Sequence, residues 1–292
     1  MPRRVRYAPF CDRRVHRGVY NFAWWVPNSE QEEDQDLAIL QDAGNASDYR
    51  TAKQEARGDG SPTIGGGFTE PLRAEVRRTL LSQLGKEEAQ RLREKDLDPL
   101  LMALQPDLAV VKLDRTGSKP RDWLCYLHVW LPSGWKPEEA RDKSFCEIHE
   151  HVPIVKPEHR EVGAAVFANL LTTREPTTRY RFVWGLQTHP KLDCHPVRTP
   201  RPGFNGEDLW LRVERQILLP LREHDALIFL IHPYVDLVEN LTTEQGKSLL
   251  AAVRDMESKG DDVLEYKFGA GYEDEYPRIE AFLQARFGER SD

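Results

Sequence analysis

The sequence predicts an α+β protein in which helices flank a sheet of antiparallel strands. Helical spacing of apolar residues begins at Thr69 and returns after residue 242, whereas the chain between carries short apolar runs rich in β-branched and aromatic residues. These runs do not alternate regularly with helices, as the strands of a parallel nucleotide-binding sheet do. The order of helices, strands and helices therefore favours the α+β class.

Residues 1–68 are predicted to form an N-terminal extension that is partly irregular, and residues 69–292 a single domain. From 28 to 62 the chain is acidic and rich in Gly, Ser and Asp, which indicates a surface segment with one short helix or strand at Leu37 to Leu40. Thr69 is a candidate N-cap, followed by Pro71 in the first turn and by leucines at helical spacing. One or two amphipathic helices are expected to follow it.

The strands are predicted from five apolar runs. They are residues 107–114 and 122–135, which form a hairpin, residues 179–187, and two long strands within 209–238 that join at Arg222 to Asp225. Helices are predicted near 158–173, 242–258 and 274–287.

The composition is that of an ordinary globular protein, with 39% hydrophobic and 30% charged residues in 292. A net charge of −7 argues against a general nucleic-acid-binding surface. No apolar run approaches the roughly 20 residues that a membrane span requires, so we expect a cytoplasmic protein. The four cysteines are too scattered to form a C-x-x-C zinc or redox pair.

The segment SFCEIHEHVPI places His149 and His151 on either side of Glu150. In a strand these two imidazoles would share a face, and neutral imidazoles so placed can bind one metal ion. A structural role for at least one of them is the alternative interpretation. The cupin pattern, which adds a Glu a few residues later, is absent because positions 155 and 156 are Val and Lys.

Several blocks resemble a known family. WLPSGWKPEEARDKSFCEIHEHVP (130–153) resembles the PSGW and IH-x-PVP blocks of the haem-dependent oxidative N-demethylase-like proteins. RYRFVWGL (179–186) is similar to the R-x-NW segment of that family, and residues 211–238 are similar to its LR-x-ERQ block in order and spacing. The resemblance covers about residues 105–285, and the ERQ block is its most specific part.

The resemblance implies a PAS-like sheet that holds a b-type haem within residues 69–292. It also implies an oxidoreductase of the mono-oxygenase type that oxidatively demethylates a small amine such as dimethylamine. O₂ and electrons from a separate NAD(P)H-dependent flavin and iron–sulfur reductase would be required. Two alternatives stay open: a haem-binding sensor or carrier without turnover, and a non-haem metal enzyme that uses His149 and His151.

The same resemblance assigns roles to histidines. His149 matches the His of the IH-x-PVP block and is predicted to be the proximal iron ligand, with its other ring nitrogen held by a backbone carbonyl or a carboxylate. His151 stands at the first Pro of that block, as a rival ligand or a distal hydrogen-bond donor. His232 occupies a place where the family often has Arg, so either a propionate partner is altered here or the catalytic pocket differs.

Arginines and aromatic residues complete the predicted site. Arg212 and Glu214 would share one face of a strand and Arg215 the other, so both a propionate contact and a buried ion pair are available to the arginines. Trp184 and Tyr234 are predicted to line the haem or substrate cavity, although aromatic residues on strands are usually core residues. Position 183 is Val where the family has Asn, which weakens the transfer of the dimethylamine specificity.

Overall fold

The computed structural model describes residues 7–11, 26–27, 39, 46–150, 167–169, 171–172, 179–269 and 271–288. The helices are α1 (Ala46–Arg57), α2 (Glu70–Ser82), α3 (Lys86–Leu92), α4 (Leu97–Ala103), α5 (Phe145–Ile148), α6 (Thr243–Glu257), α7 (Asp261–Phe268) and α8 (Tyr272–Phe287). The strands are β1 (Val26–Pro27), β2 (Thr63–Ile64), β3 (Asp107–Asp114), β4 (Arg121–His128), β5 (Arg179–Gln187), β6 (Trp210–Leu221) and β7 (Ala226–Leu237).

The strands form one sheet in the order β1-β5-β6-β7-β3-β4-β2, and all of the neighbouring strands pair antiparallel. β6 and β7 pair along their whole length. The chain reverses between them through a short 3₁₀ turn, after which Asp225 has a left-handed backbone with φ 45°. Asp tolerates this conformation better than most side chains do, which fits the sharp reversal. The α+β class predicted from the sequence is confirmed.

The described residues of the crossover between β4 and β5 pack on one face of the sheet. Ala109 and Leu218 both pair with Phe229, so the three side chains share this face. Phe145 and Phe167, which belong to the crossover, pack in the same hydrophobic cluster. We call this side the crossover face.

The opposite side, which we call the helical face, carries Leu108, Ile217 and Leu230. Two hydrophobic clusters cover it, one built with α2 to α4 and the other with α6 to α8. Full burial of one such aliphatic side chain contributes about 1.5–3 kcal/mol. Helix residues buried in these clusters include Leu72, Val76, Leu80, Leu97, Leu100, Leu249, Val253, Ile279 and Leu283.

The predicted strands are confirmed, two of them with the expected bounds of 107–114 and 179–187. The second strand ends at His128 instead of at residue 135. The backbone amides of Trp130 and Leu131 donate hydrogen bonds to the carboxylate of Asp107 and not to the backbone of a neighbouring strand. Thr69 precedes α2 as predicted. In the described part of the chain, no helix is both long and apolar enough to cross a membrane.

Part of the acidic segment is helical. Residues 46–57 form the 12-residue helix α1, where the sequence predicted no helix. The helix was missed because its sequence, ASDYRTAKQEAR, has no apolar stripe; it buries Tyr49, Lys53 and Ala56. Of the element predicted at Leu37 to Leu40, only Ile39 lies within the described residues, and it is buried.

Candidate functional site

His149 does not lie in a strand. It follows the short helix α5, which begins with a capping box: the Ser144 hydroxyl accepts from the Glu147 amide, and the Glu147 carboxylate accepts from the Ser144 amide. This local pattern overrides the apolar composition that made a strand plausible. The strand geometry that would place His149 and His151 on one face is therefore not available at His149, and His151 lies outside the described residues.

The imidazole of His149 packs against the crossover face. Its Nδ1 lies 2.6 Å from the carbonyl oxygen of Phe145. Because a carbonyl only accepts, Nδ1 carries the proton in this contact and the ring lone pair is on Nε2. The centroid of the His149 ring lies 4.1 Å from that of Phe145, with the two rings tilted by 34°, and the Phe145 ring contacts Phe167 and Phe229.

Burial lowers the pKa of His149 to about 4, with a further contribution from the positive charge of Arg181 and opposed by the Phe145 hydrogen bond. The imidazole is therefore neutral at physiological pH. A neutral imidazole with one nitrogen held by a backbone carbonyl is the form that ligates metals.

A line of polar side chains crosses the same face. Arg181 donates through Nε to Gln216 Oε1 at 2.7 Å, and Gln216 donates through Nε2 to Glu214 Oε2 at 2.9 Å. The other oxygen of Glu214 lies 3.1 Å from Nη2 of Arg212. We call Arg181, Arg212, Glu214 and Gln216 the polar strip. Strand pairing places these residues together, because Arg181 is opposite Gln216 in the β5–β6 register.

The polar strip is buried, with its members only 4–8% exposed. Burial lowers the pKa of Arg181 to about 10, partly offset by the charge of Glu214, so the guanidinium stays protonated. Lys267 of α7 donates to the Trp184 carbonyl at 3.2 Å. Burial lowers its pKa to about 8, and the nearby charge of Glu214 opposes the shift. The strip thus has two arginines and one carboxylate, which gives it an excess of positive charge, and Lys267 adds a further cation whose pKa responds to Glu214.

Arg212 has the ion-pair arrangement that the sequence left as an alternative to a propionate contact. Besides Glu214, its guanidinium donates to the carbonyl oxygens of Leu131 at 2.8 Å and Leu192 at 2.7 Å. These contacts occupy both terminal nitrogens. Arg212 therefore fixes the crossover and the following loop to β6, while Arg181 is the arginine whose charge reaches His149.

The other predicted residues point to the helical face. Arg215 pairs with His232 across β6 and β7, and both are buried. His232 Nδ1 lies 2.9 Å from the hydroxyl of Tyr234, and the two rings stack at 4.3 Å. Trp184 packs edge-on to Phe10 and belongs to the cluster formed with α6 to α8.

The structure thus divides the predicted site between two faces. His149 and Arg212 lie on the crossover face, whereas Trp184, Arg215, His232 and Tyr234 project from the helical face. One bound group on one face would not contact both sets directly. Sequence reasoning assigned no role to Arg181, Gln216 or Lys267; the only signal was for Arg181, which is the Arg of the R-x-NW segment.

Val183 lies opposite Glu214 in the β5–β6 register. It is therefore on the crossover face beside the polar strip, where the family has Asn. The side chain adds apolar surface at a point where an amide would add a donor and an acceptor. Among the described residues, no group of three or more His, Cys, Asp or Glu side chains is arranged to hold a metal ion.

The model of one protein family, described as haem-dependent oxidative N-demethylase, alpha subunit-like, matches residues 72–276, more than half of the chain. No curated protein matches the sequence. The family match confirms the resemblance found in the sequence blocks. It includes β3 to β7, His149 and the polar strip, and it begins after α1.

Proposed function

The chain belongs to the family of haem-dependent oxidative N-demethylase alpha-subunit-like proteins, and from this membership we propose that it oxidatively demethylates a small amine. The proposed substrates are dimethylamine-like amines and O₂, with two electrons and two protons; the products are the demethylated amine, formaldehyde, which takes one oxygen atom, and water, which takes the other. A separate NAD(P)H-dependent flavin and iron–sulfur reductase would supply the electrons.

We place the haem b at the crossover face of a PAS-like sheet. A haem requires an axial ligand, an apolar slot and cationic partners for its two propionates. The crossover face offers the imidazole of His149, the aromatic surface of Phe145 and Phe229, and the guanidinium of Arg181. A candidate axial ligand, an aromatic surface and a cation therefore lie on one face, which supports the fit of the cofactor to this chain.

The charge of the polar strip supports the same placement. Arg181, Arg212 and Lys267 outnumber the single carboxylate of Glu214, and an excess of buried positive charge is stabilised by an anionic group. Propionates would supply that charge. Because Arg212 is already held by Glu214 and two carbonyls, Arg181 is the proposed propionate partner. Lys267, whose pKa responds to the charge of Glu214, is the proposed second cation.

When bound, the haem would supply the activation of O₂ for oxidation of an N-methyl C–H bond. The residues of the chain would position and shield the reaction. The Phe145 carbonyl orients His149 and fixes its tautomer, Arg181 holds a propionate, and the aromatic residues exclude water. A cationic strip disfavours a second cation, so the substrate is proposed to bind as the neutral amine.

The observation that carries the proposal is the held imidazole of His149 on the same face as Arg181. The test is the ultraviolet and visible spectrum of wild-type protein, His149→Ala and His232→Ala, each reconstituted with haemin and then reduced under CO. We expect a Soret band that shifts with CO in wild type and in His232→Ala, and its loss or alteration in His149→Ala. Loss of a ligand should weaken haem binding by more than the roughly 10–100-fold typical of an outer-shell change.

His232 is the matched control because it is a buried histidine on the helical face of the same sheet. A wild-type protein without a Soret band would refute haem binding. An unchanged spectrum in His149→Ala would refute the ligand assignment alone. Reversible CO binding without amine-dependent NAD(P)H consumption in the presence of a competent reductase would contradict turnover and leave a haem sensor or carrier.

A further inference from the structure

Lys53 and Asp107 form an ion pair that is wholly removed from solvent. Lys53 Nζ lies 3.1 Å from Asp107 Oδ1, and both side chains are 0% exposed. The ammonium also donates to the carbonyl oxygens of Pro106 at 2.7 Å and Leu101 at 3.3 Å. Burying two charges is costly, and in some proteins a buried polar or ionic group serves to specify one arrangement of the chain.

Asp107 points to the place where the chain leaves the sheet. Its Oδ2 accepts hydrogen bonds from the amides of Trp130 at 3.0 Å and Leu131 at 2.6 Å. Asp107 is the first residue of β3, and the two amides follow the end of β4. The carboxylate therefore fixes the beginning of the crossover that covers the candidate site.

The Leu131 peptide connects this pair to the polar strip. Its amide donates to Asp107, and its carbonyl accepts from Arg212 Nη2 at 2.8 Å. The negative charge of Asp107 also contributes to raising the pKa of Arg212 against the effect of burial. Charged groups therefore alternate in sign along the chain of contacts: Lys53, Asp107, Arg212, Glu214 and, through Gln216, Arg181.

We propose that Lys53 is a positioning residue for the candidate site, acting through Asp107 and the Leu131 peptide on Arg212 and hence on the polar strip. Helix α1, which precedes the family-matched residues 72–276, is then part of the functional unit. The effect on a bound haem rests on the proposed function above, whereas the coupling from Lys53 to Arg212 within the protein is independent of that function.

The coupling can be measured without any cofactor. The rate at which the Arg212 Nε–H proton exchanges with solvent would be measured by NMR in the apo protein. Its NMR signal is identified as the one that is absent in Arg212→Lys. Lys53→Met removes the ammonium and retains much of the volume. We expect exchange at least tenfold faster than in wild type, because Asp107 loses its partner and releases the Leu131 peptide.

Two further variants separate positioning from loss of stability. Leu80→Ala, in helix α2 in the core of the helical face, removes buried apolar surface from a residue outside this chain of contacts and should leave the Arg212 exchange rate within twofold of wild type. If Lys53→Met does not fold, the double variant Lys53→Met with Asp107→Asn removes both buried charges and should still show faster exchange. Equal acceleration in Leu80→Ala, or no acceleration in a Lys53 variant, would overturn the proposal.

The second measurement is the rate of haem loss from reconstituted protein. We expect Lys53→Met to release haem about tenfold faster than wild type. In protein that already carries Arg212→Gln, adding Lys53→Met should change the rate of haem loss by less than twofold. An undiminished effect in that background would show that Lys53 does not act through Arg212. Absence of haem binding in wild type would refute the proposed function and leave the exchange result as the test of coupling.

Discussion

The two faces of the sheet bury arginines from the same strand in different surroundings. On the crossover face, Arg212 is part of the polar strip and pairs with Glu214. On the helical face, Arg215 lies between two hydrophobic clusters that α2 to α4 and α6 to α8 complete. The two faces therefore differ in role. The helical face supplies most of the apolar burial among the described residues, and the crossover face carries the linked charges that could bind a cofactor.

The division arises from the alternation of side chains in β6. In the sequence LRVERQ, Arg212, Glu214 and Gln216 point to one side, while Val213 and Arg215 point to the other. A block of sequence that resembles a functional motif therefore supplies both faces at once. Residues that are neighbours in the motif need not be neighbours in the site.

Removing the carboxylate of the polar strip is expected to have the largest effect on stability. Glu214→Gln would leave the buried guanidinium of Arg212 without its ion-pair partner. Breaking a buried pair costs about 3–5 kcal/mol. Urea unfolding of the apo protein would measure the loss. Glu223→Gln, on an exposed side chain in the β6–β7 turn, should stay within about 0.5 kcal/mol of wild type. A similar loss in both variants would mean that the strip contributes no special stability.

A steric change on the helical face should lower stability without altering the candidate site. Gly246 of α6 lies against the ring of Phe287, so the Cβ of Gly246→Ala would overlap that ring. Overpacking of this kind costs about 1–3 kcal/mol. Thermal unfolding should show the loss, and haem affinity should not change. Gly203→Ala is the control, because a Cβ there meets nothing within 4 Å. A haem defect in Gly246→Ala would contradict the separation of the two faces.

Much of the fold was predictable because its strands have strong local signals. The apolar runs at 107–114 and 179–187 and the paired runs of β6 and β7 contain enough β-branched and aromatic residues to define strands. Helix α1 lacked such a signal, because its buried side includes Lys53, whose ion pair with Asp107 forms only when the chain folds. Propensity and periodicity do not register a contact between residues that are distant in the sequence.

The site was only partly predictable for a related reason. The family resemblance led to His149 and Arg212, but the side of the sheet that each residue faces depends on strand register. Arg181 and Gln216 become neighbours only when β5 pairs with β6 in the observed register. The capping box of Ser144 and Glu147 was visible in the sequence and would have indicated a helix before His149.

The smallest expected effect concerns Lys267 of α7, which donates to the Trp184 carbonyl of β5. Its pKa is lowered to about 8 by burial, whereas a free lysine side chain titrates near about 10.4. The rate at which Lys267 is acetylated in the apo protein would be measured as a function of pH, with a free lysine peptide in the same mixture as a reference. We expect the Lys267 rate to reach half of its maximum near pH 8.

Glu214→Gln should lower the midpoint for Lys267 further, because the carboxylate charge favours the ammonium form. Between pH 8 and 10.4 the unfolded chain binds more protons at this residue than the folded chain does, so its contribution to stability rises with pH. Lys267→Met should remove that rise in unfolding experiments. A midpoint for Lys267 equal to that of the free peptide would show that the ammonium remains solvated and lies outside the buried charge of the crossover face.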